Sequence, residues 1–175
     1  GRLRGNLAPA HGAGDGLMVA DPTTFRVLPW AERTGIVLCD LRFPDGSVVP
    51  FCTRSILRTE LAALAERGLG MRVGAELEFH VYRADPEELG VEHVGAPGRP
   101  GVAARTHPTT RGAQLLHEEG LDAMQPLVDA LYHGLTRLDL PLRSIELEFG
   151  PSQFELTMEA GEAGEIADAI VLCRT

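Results

Sequence analysis

The chain has 175 residues, 44% of them apolar and 23% charged, the proportions of an ordinary globular protein that can bury a core for one medium domain, or for one small domain and part of a second. A formal net charge of −9 provides no basic stripe for phosphates, which excludes a general nucleic-acid binder and suits a protein that holds cations. Cys39, Cys52 and Cys173 have no metal or redox spacing and suit a reducing cytoplasm, the six histidines form no zinc-type pair, and no apolar run is long enough to span a membrane.

Residues 1–16 are rich in Gly, Ala and Pro and give no clear element. "LMVA" then reads as a short strand, and "DPTTFRVLPW" as a turn into another extended piece. "GIVLCDLRFPDGSVVPF" carries a hairpin signal, two β-rich runs joined through Asp45-Gly46. In "TRSILRTELAALAERG" the period becomes helical: Ile56, Leu57, Leu61 and Leu64 share a face, Thr53 or Ser55 can cap the start, and Gly68 can end it. This change of period puts a domain boundary near residue 53, with a small sheet over 1–53 and a second domain over 54–175.

"MRVGAELEFHVYR" returns to strand alternation, and residues 84–119 read as a long loop or flap. Leu121, Met124, Val128, Leu131, Leu135 and Leu138 recur every three or four residues, as in the core stripe of a helix, and Pro126 moves its start toward Gln125. "RSIELEF", "GPS" and "QFELTM" read as strand, turn and strand. "GEAGEIADAIVLCRT" opens a last helix, with Glu162 and Glu165 placed for its N-terminal dipole.

The tetrapeptide "ELEF" occurs twice, as Glu76–Phe79 and as Glu146–Phe149. Residues i and i+2 of a strand share a face, so Glu76, Glu78, His80 and Tyr82 point one way, and Glu146 and Glu148 share another face. If "GPS" is a tight turn, Gln153 and Glu155 fold back beside them. Two carboxylates about 4 Å apart repel by roughly 4 kcal/mol at an effective dielectric of about 20. Two readings stay open: the glutamates are solvated outer faces of a sheet, or they gather around a cation. For an all-oxygen set without cysteine or paired histidine that cation is Mg²⁺ or Mn²⁺, an ion suited to phosphate chemistry. His80, Arg105 and Arg111 read as strand or loop residues in contact with solvent.

"GAELEFHVYR" followed by "ELEFGPSQFELTM" resembles the glutamine synthetase family, whose first catalytic-domain strand carries Glu-x-Glu-Phe and whose later hairpin carries Glu-x-Gly-Pro-Gly-Gln-x-Glu. Upstream, "DPTTFRVLPW" and "IVLCDLRFPDGSVVPFCTRSILRTELAAL" resemble the family's small N-terminal domain and its junction to the first catalytic helix. The resemblance implies an α+β fold. A β-grasp N-terminal domain over 1–53 is followed by the start of a catalytic domain over 54–175, an antiparallel sheet with helices. It also implies that Glu78, Glu148 and Glu155 hold a first metal ion, that Glu76 holds a second, and that Glu146 lies near the nucleotide. The implied activity is ATP-dependent formation of a γ-glutamyl amide from glutamate and ammonia or an amine, through γ-glutamyl phosphate. Mg²⁺ or Mn²⁺ would be the cofactor, in a cytoplasmic homo-oligomer of stacked rings.

This sequence departs from the family's pattern in three places. Ser152 stands where the family has glycine, Asn6 follows "GRLRG" where the family has lysine, and the later histidine, glutamate and arginines of the family's site have no counterpart here. The chain therefore reads as an incomplete portion, inactive by itself. The alternative is a catalytically inactive relative kept for assembly or structure, and an unrelated carboxylate-cluster metal hydrolase is a third reading.

Overall fold

The computed structural model describes residues 16–96 and 98–175, so the "GRLRG" likeness lies outside the described residues. The chain packs as two compact units. The first takes the stretch up to Gly74 with Gly134–Leu140 and Ala160–Thr175, and the second takes Ala75–His133 with Pro141–Glu159.

In the first unit, β1 (Leu17–Ala20) pairs antiparallel with β4 (Cys39–Arg42), and β2 (Arg26–Val27) pairs with β3 (Gly35–Ile36), giving two separate two-stranded ladders. The expected turn at Asp45-Gly46 forms. Gly46 takes a φ of +85° that suits glycine, its N–H donates to the Phe43 carbonyl at 2.8 Å, and the Asp45 carboxylate accepts from the Ser47 N–H at 2.8 Å. The returning arm is only a bridge from Arg42 to Val48, because Pro50 has no N–H to extend the ladder.

Helix α1 (Thr53–Ala65) follows. Its N-cap is Cys52 rather than Thr53 or Ser55, and its inward face is Arg54, Leu57, Leu61 and Leu64, with Ile56 exposed. The helix ends as expected at Gly68 (φ +70°), with Leu69 N–H returning to the Leu64 carbonyl at 3.0 Å. The last helix, α4 (Ala163–Cys173), has Glu162 as its N-cap residue and Glu165 in its first turn, and it buries Ala163, Ile166, Ala169 and Leu172.

An ion-pair network also ties the first unit together. Arg54 donates from Nε and Nη2 to the two oxygens of Asp168 at 2.8 and 2.7 Å, again from Nη2 to Asp21 at 2.7 Å, and from Nη1 to Asp40 at 3.2 Å. Arg58 pairs with the same Asp21 and Asp40. The Thr23 hydroxyl and then Arg54 hold the Asp21 carboxyl well below the usual carboxylate range. Asp168, and then Asp21 and Asp40, push Arg54 further up.

The second unit is built on a three-stranded sheet in the order β5 (Arg72–His80), β9 (Gln153–Glu162), β8 (Leu142–Leu147). Strands β8 and β9 are antiparallel, with Leu147 opposite Phe154, Glu146 opposite Glu155 and Ser144 opposite Thr157; a bulge at Arg143 shifts the next pair to Leu142–Met158. One face of β9 is core: Phe154, Leu156 and Met158 are buried, and the Phe79 ring stacks on Phe154 at a centroid distance of 6.0 Å. Residues 84–119, read as a loop, contain more order than expected. Strand β7 (Thr106–Pro108) pairs with β6 (Tyr82–Ala84), and a one-turn helix α2 (Glu118–Asp122) begins at a His117 cap. Both elements are too short for hydrophobic periodicity to reveal. Helix α3 (Gln125–Arg137) starts where expected and tolerates Pro126 in its first turn, where backbone N–H groups have no helical partner.

The β8–β9 connection turns on Ser152, fully buried at a left-handed φ of +63°. Its Oγ accepts the Thr109 N–H at 2.8 Å, its N–H donates to Thr110 Oγ1 at 2.8 Å, and its carbonyl accepts the Val81 N–H at 2.9 Å. A non-glycine residue at such a φ costs about 1–2 kcal/mol. Ser152→Gly removes that strain while losing one hydrogen bond, so it is expected to be near neutral. Ser152→Ala keeps the strain and strands the Thr109 N–H, at a loss of about 1–2 kcal/mol. Urea midpoints that place alanine above glycine would contradict this account.

Candidate carboxylate centre

Strand alternation builds the candidate site within the second unit. On β5, Glu76, Glu78 and His80 are on the exposed face while Ala75, Leu77 and Phe79 are half-buried behind them. On β9, Gln153, Glu155 and Thr157 occupy the face opposite the Phe154–Leu156–Met158 core. Because β9 is central, carboxylates from β5 and β8 flank Glu155 on both sides. Glu146 is its direct cross-strand partner. Burial, followed by the charges of Glu76, Glu148, Glu146 and Glu78 in that order, pushes the Glu155 carboxyl up. Four of the five glutamates singled out from the sequence therefore bear on the fifth, and the cross-strand pair alone places like charges where they repel.

Hydrogen bonds hold the individual oxygens. Gln153 uses both ends of its amide, accepting the Gly150 N–H at Oε1 (2.7 Å) and donating from Nε2 to Glu78 (2.6 Å). Ser144 donates its hydroxyl to Glu146 at 2.7 Å and lies 2.6 Å from the Thr157 hydroxyl. Glu148 accepts the Phe149 N–H at 3.1 Å. With the oxygens held this way, no three His, Cys, Asp or Glu side chains among the described residues are close enough together to grip an ion. The donor set, all oxygen and without cysteine, is of the kind that suits a hard divalent cation.

The neutral residues that complete the centre were less legible than the acids. Gln153 has the right strand parity, but its clamp on Glu78 depends on a loop geometry that spacing does not give. Ser144 and Thr157 follow only from the register, which runs unbroken from Leu147–Phe154 to this pair. Arg105 and Arg111 are exposed on the connecting segment. His80 shares the glutamate face, with its ring parallel to Tyr82 at 6.1 Å.

The family described as "Glutamine synthetase, catalytic domain" matches residues 50–175. A γ-glutamylanilide synthase of Acinetobacter sp. is 40% identical over 159 residues, covering 91% of this chain and 32% of the relative. A γ-glutamylethanolamide synthetase, GlnA4 of Streptomyces coelicolor, is 32% identical, covering 94% and 34%. A GmaS/ADP complex superposes with a TM-score of 0.72 at 21% identity, covering 96% of this chain and 36% of that one, which shows the same fold. The chain belongs to the glutamine synthetase family, with the antiparallel sheet and helices of its catalytic domain. It spans about a third of the length of the curated relatives it matches. No helix among the described residues is long and apolar enough to cross a membrane.

Proposed function

We propose that these residues supply the carboxylate side of the active centre of an ATP-dependent ligase that joins glutamate to an amine. Residues 1–53 would form its β-grasp domain and 54–175 the first part of its catalytic domain. The reading rests on one observation above all: in a chain of this family, the strand order β5–β9–β8 sets Glu155 between the glutamates of β5 and its cross-strand partner Glu146. Glu78, Glu148 and Glu155 are the residues that would hold a first Mg²⁺ or Mn²⁺, with Glu76 toward a second and Glu146 toward the nucleotide. A divalent ion there supplies charge neutralisation for ATP phosphates and for the glutamate γ-carboxylate during phosphoryl transfer. The chain's own part is to orient. Gln153 aims Glu78, the Ser144–Thr157 pair fixes Glu146, and the Phe154 side of β9 holds the row rigid. An amine then displaces phosphate from γ-glutamyl phosphate. Two of the relatives named above carry an anilide and an ethanolamide in their names, which favours an organic amine over ammonia as the acceptor. A cytoplasmic ring assembly is part of the same proposal.

The test is Glu155→Gln with thermal melts with and without Mn²⁺. The parent should be stabilised by Mn²⁺, toward about 2.7 kcal/mol at a hundred times the dissociation constant, and the variant should not respond. Without metal the variant should be the more stable, by up to about 1 kcal/mol after screening. The pH dependence has a definite sign. A carboxyl raised in the folded state penalises folding as pH climbs from the unfolded carboxylate value, about 4.3, through the folded one, so below about pH 4 the two proteins should converge. Identical melts in all conditions would mean that the carboxylates are only a solvated face.

A further inference from the structure

Gln114 is a buried polar residue, 9% exposed, between the exposed Ala113 and Leu115. It belongs to a stretch of the second unit, residues 109–117, that runs along the β8–β9 connection. There the Ala113 N–H donates to the Phe149 carbonyl at 2.8 Å and the Leu116 N–H to the Leu147 carbonyl at 3.2 Å. The backbone is left-handed at Gly112 (φ +86°), Ala113 (+53°) and Leu116 (+53°), and the last two are residue types that rarely adopt it. Such strain persists only where surrounding contacts over-determine it. The Gln114 amide uses both ends. Its Oε1 accepts the Gly112 N–H at 3.3 Å, and its Nε2 donates to the Gly150 carbonyl at 3.2 Å and reaches the Gln153 carbonyl at 3.5 Å. Those are the two carbonyls that close the turn. That of Gly150 also accepts the Gln153 N–H at 3.1 Å, and that of Gln153 the Glu148 N–H at 3.0 Å. The Gly150 N–H in turn meets Gln153 Oε1, and Gln153 Nε2 ends on Glu78.

We propose that Gln114 is a positioning residue of the carboxylate centre: its buried amide locks the Glu148–Gln153 turn, and through that turn it places Glu148 and the Gln153 clamp on Glu78. The inference rests on the reading that these glutamates hold a divalent cation. Both ends of the Gln114 amide are spent on backbone, so it acts on the ion's ligands through the turn and not on the ion. Carboxylates that repel one another swing apart unless the backbone beneath them is fixed. A turn fixed in advance lowers the ordering cost of gathering them, as outer partners of metal ligands do elsewhere.

The experiment titrates the parent and Gln114→Met with Mn²⁺, reading the free ion by electron paramagnetic resonance at a temperature where circular dichroism shows both proteins fully folded. Methionine keeps the length and volume of glutamine without its amide. The Mn²⁺ dissociation constant should rise about tenfold in the variant. A loss of global stability alone would leave the affinity of the folded protein unchanged. Hydrogen exchange without metal gives an independent readout. The Glu148 and Gln153 amides should exchange severalfold faster in the variant, while those of the Ile145–Leu156 pair in the same ladder keep their rates. Should Gln114→Met not fold, Gln114→Asn, one methylene shorter, is measured instead with the same expectations. A parent that binds no Mn²⁺ would overturn the cation reading and the metal part of this proposal with it. A parent that binds Mn²⁺ while the variant matches it in affinity and exchange would overturn the proposal alone.

Discussion

Replacing Arg54 by alanine should lower stability by about 3 kcal/mol and the melting temperature by roughly 6–12 °C. The guanidinium is 16% exposed and its three aspartate partners, Asp21, Asp40 and Asp168, are 19%, 13% and 22% exposed, so truncation leaves three acids crowded together out of bulk water. Arg58 still reaches Asp21 and Asp40, but in this network only Arg54 is bonded to Asp168. Arg54→Lys should recover less than half of the loss, because an ammonium cannot fork onto both Asp168 oxygens. The acid limb provides a second readout. Asp21 is depressed in the folded state, so its contribution is present above the unfolded carboxylate range and is lost as pH falls below about 4. In Arg54→Ala that decline should be shallower. A variant that melts within 2 °C or so of the parent would show that water already screens the network.

Phe154→Ala should cost about 4 kcal/mol, the usual loss for a large aromatic removed from a closed core. The ring is fully buried in the central strand, opposite Leu147 across the ladder and stacked on Phe79. Phe154→Leu should cost no more than about 1.5 kcal/mol, since it keeps most of the volume. The pair also separates packing from the site. Gln153 and Glu155 flank this residue, so the alanine variant should lose part of its Mn²⁺ response along with its stability, while the leucine variant keeps it. Equilibrium unfolding in urea with and without Mn²⁺ measures both quantities. Equal losses for the two variants would mean that the ring is not the keystone of the sheet.

The elements that bury one regular face were readable without coordinates. Of the 121–138 stripe, Val128, Leu131 and Leu135 fall in α3 while Leu121 falls in α2 and Met124 between the two, and the period-two runs give β5, β8 and β9 with the parity that gathers the glutamates. What escaped was order held by single pairings. The ladder of β6 and β7 is three residues long, α2 is one turn, and neither can show a period. The cap of α1 escaped because Cys52 is chosen by local geometry where Thr53 and Ser55 have the better propensity. Neither does sequence spacing suggest that Arg54 meets Asp21, Asp40 and Asp168, which approach from positions 33, 14 and 114 residues away. Long-range charge pairing has no local signature. The glutamate cluster was legible because its members repeat at a strand's own period.

Strand β9 places a hydrophobe and a site residue at alternate positions from Gln153 to Met158, and this alternation bears on quality control in the cell. A slip of one residue in its pairing would turn Glu155 into the core and Phe154 out to water, since the side-chain period of a strand is two. No slipped form can be stable yet lack the centre, or carry the centre on a loose sheet. Chains with a misassembled site would expose an aromatic surface of the kind chaperones and proteases bind, so the pool of folded protein is purged of defective sites by the same machinery that clears unfolded ones.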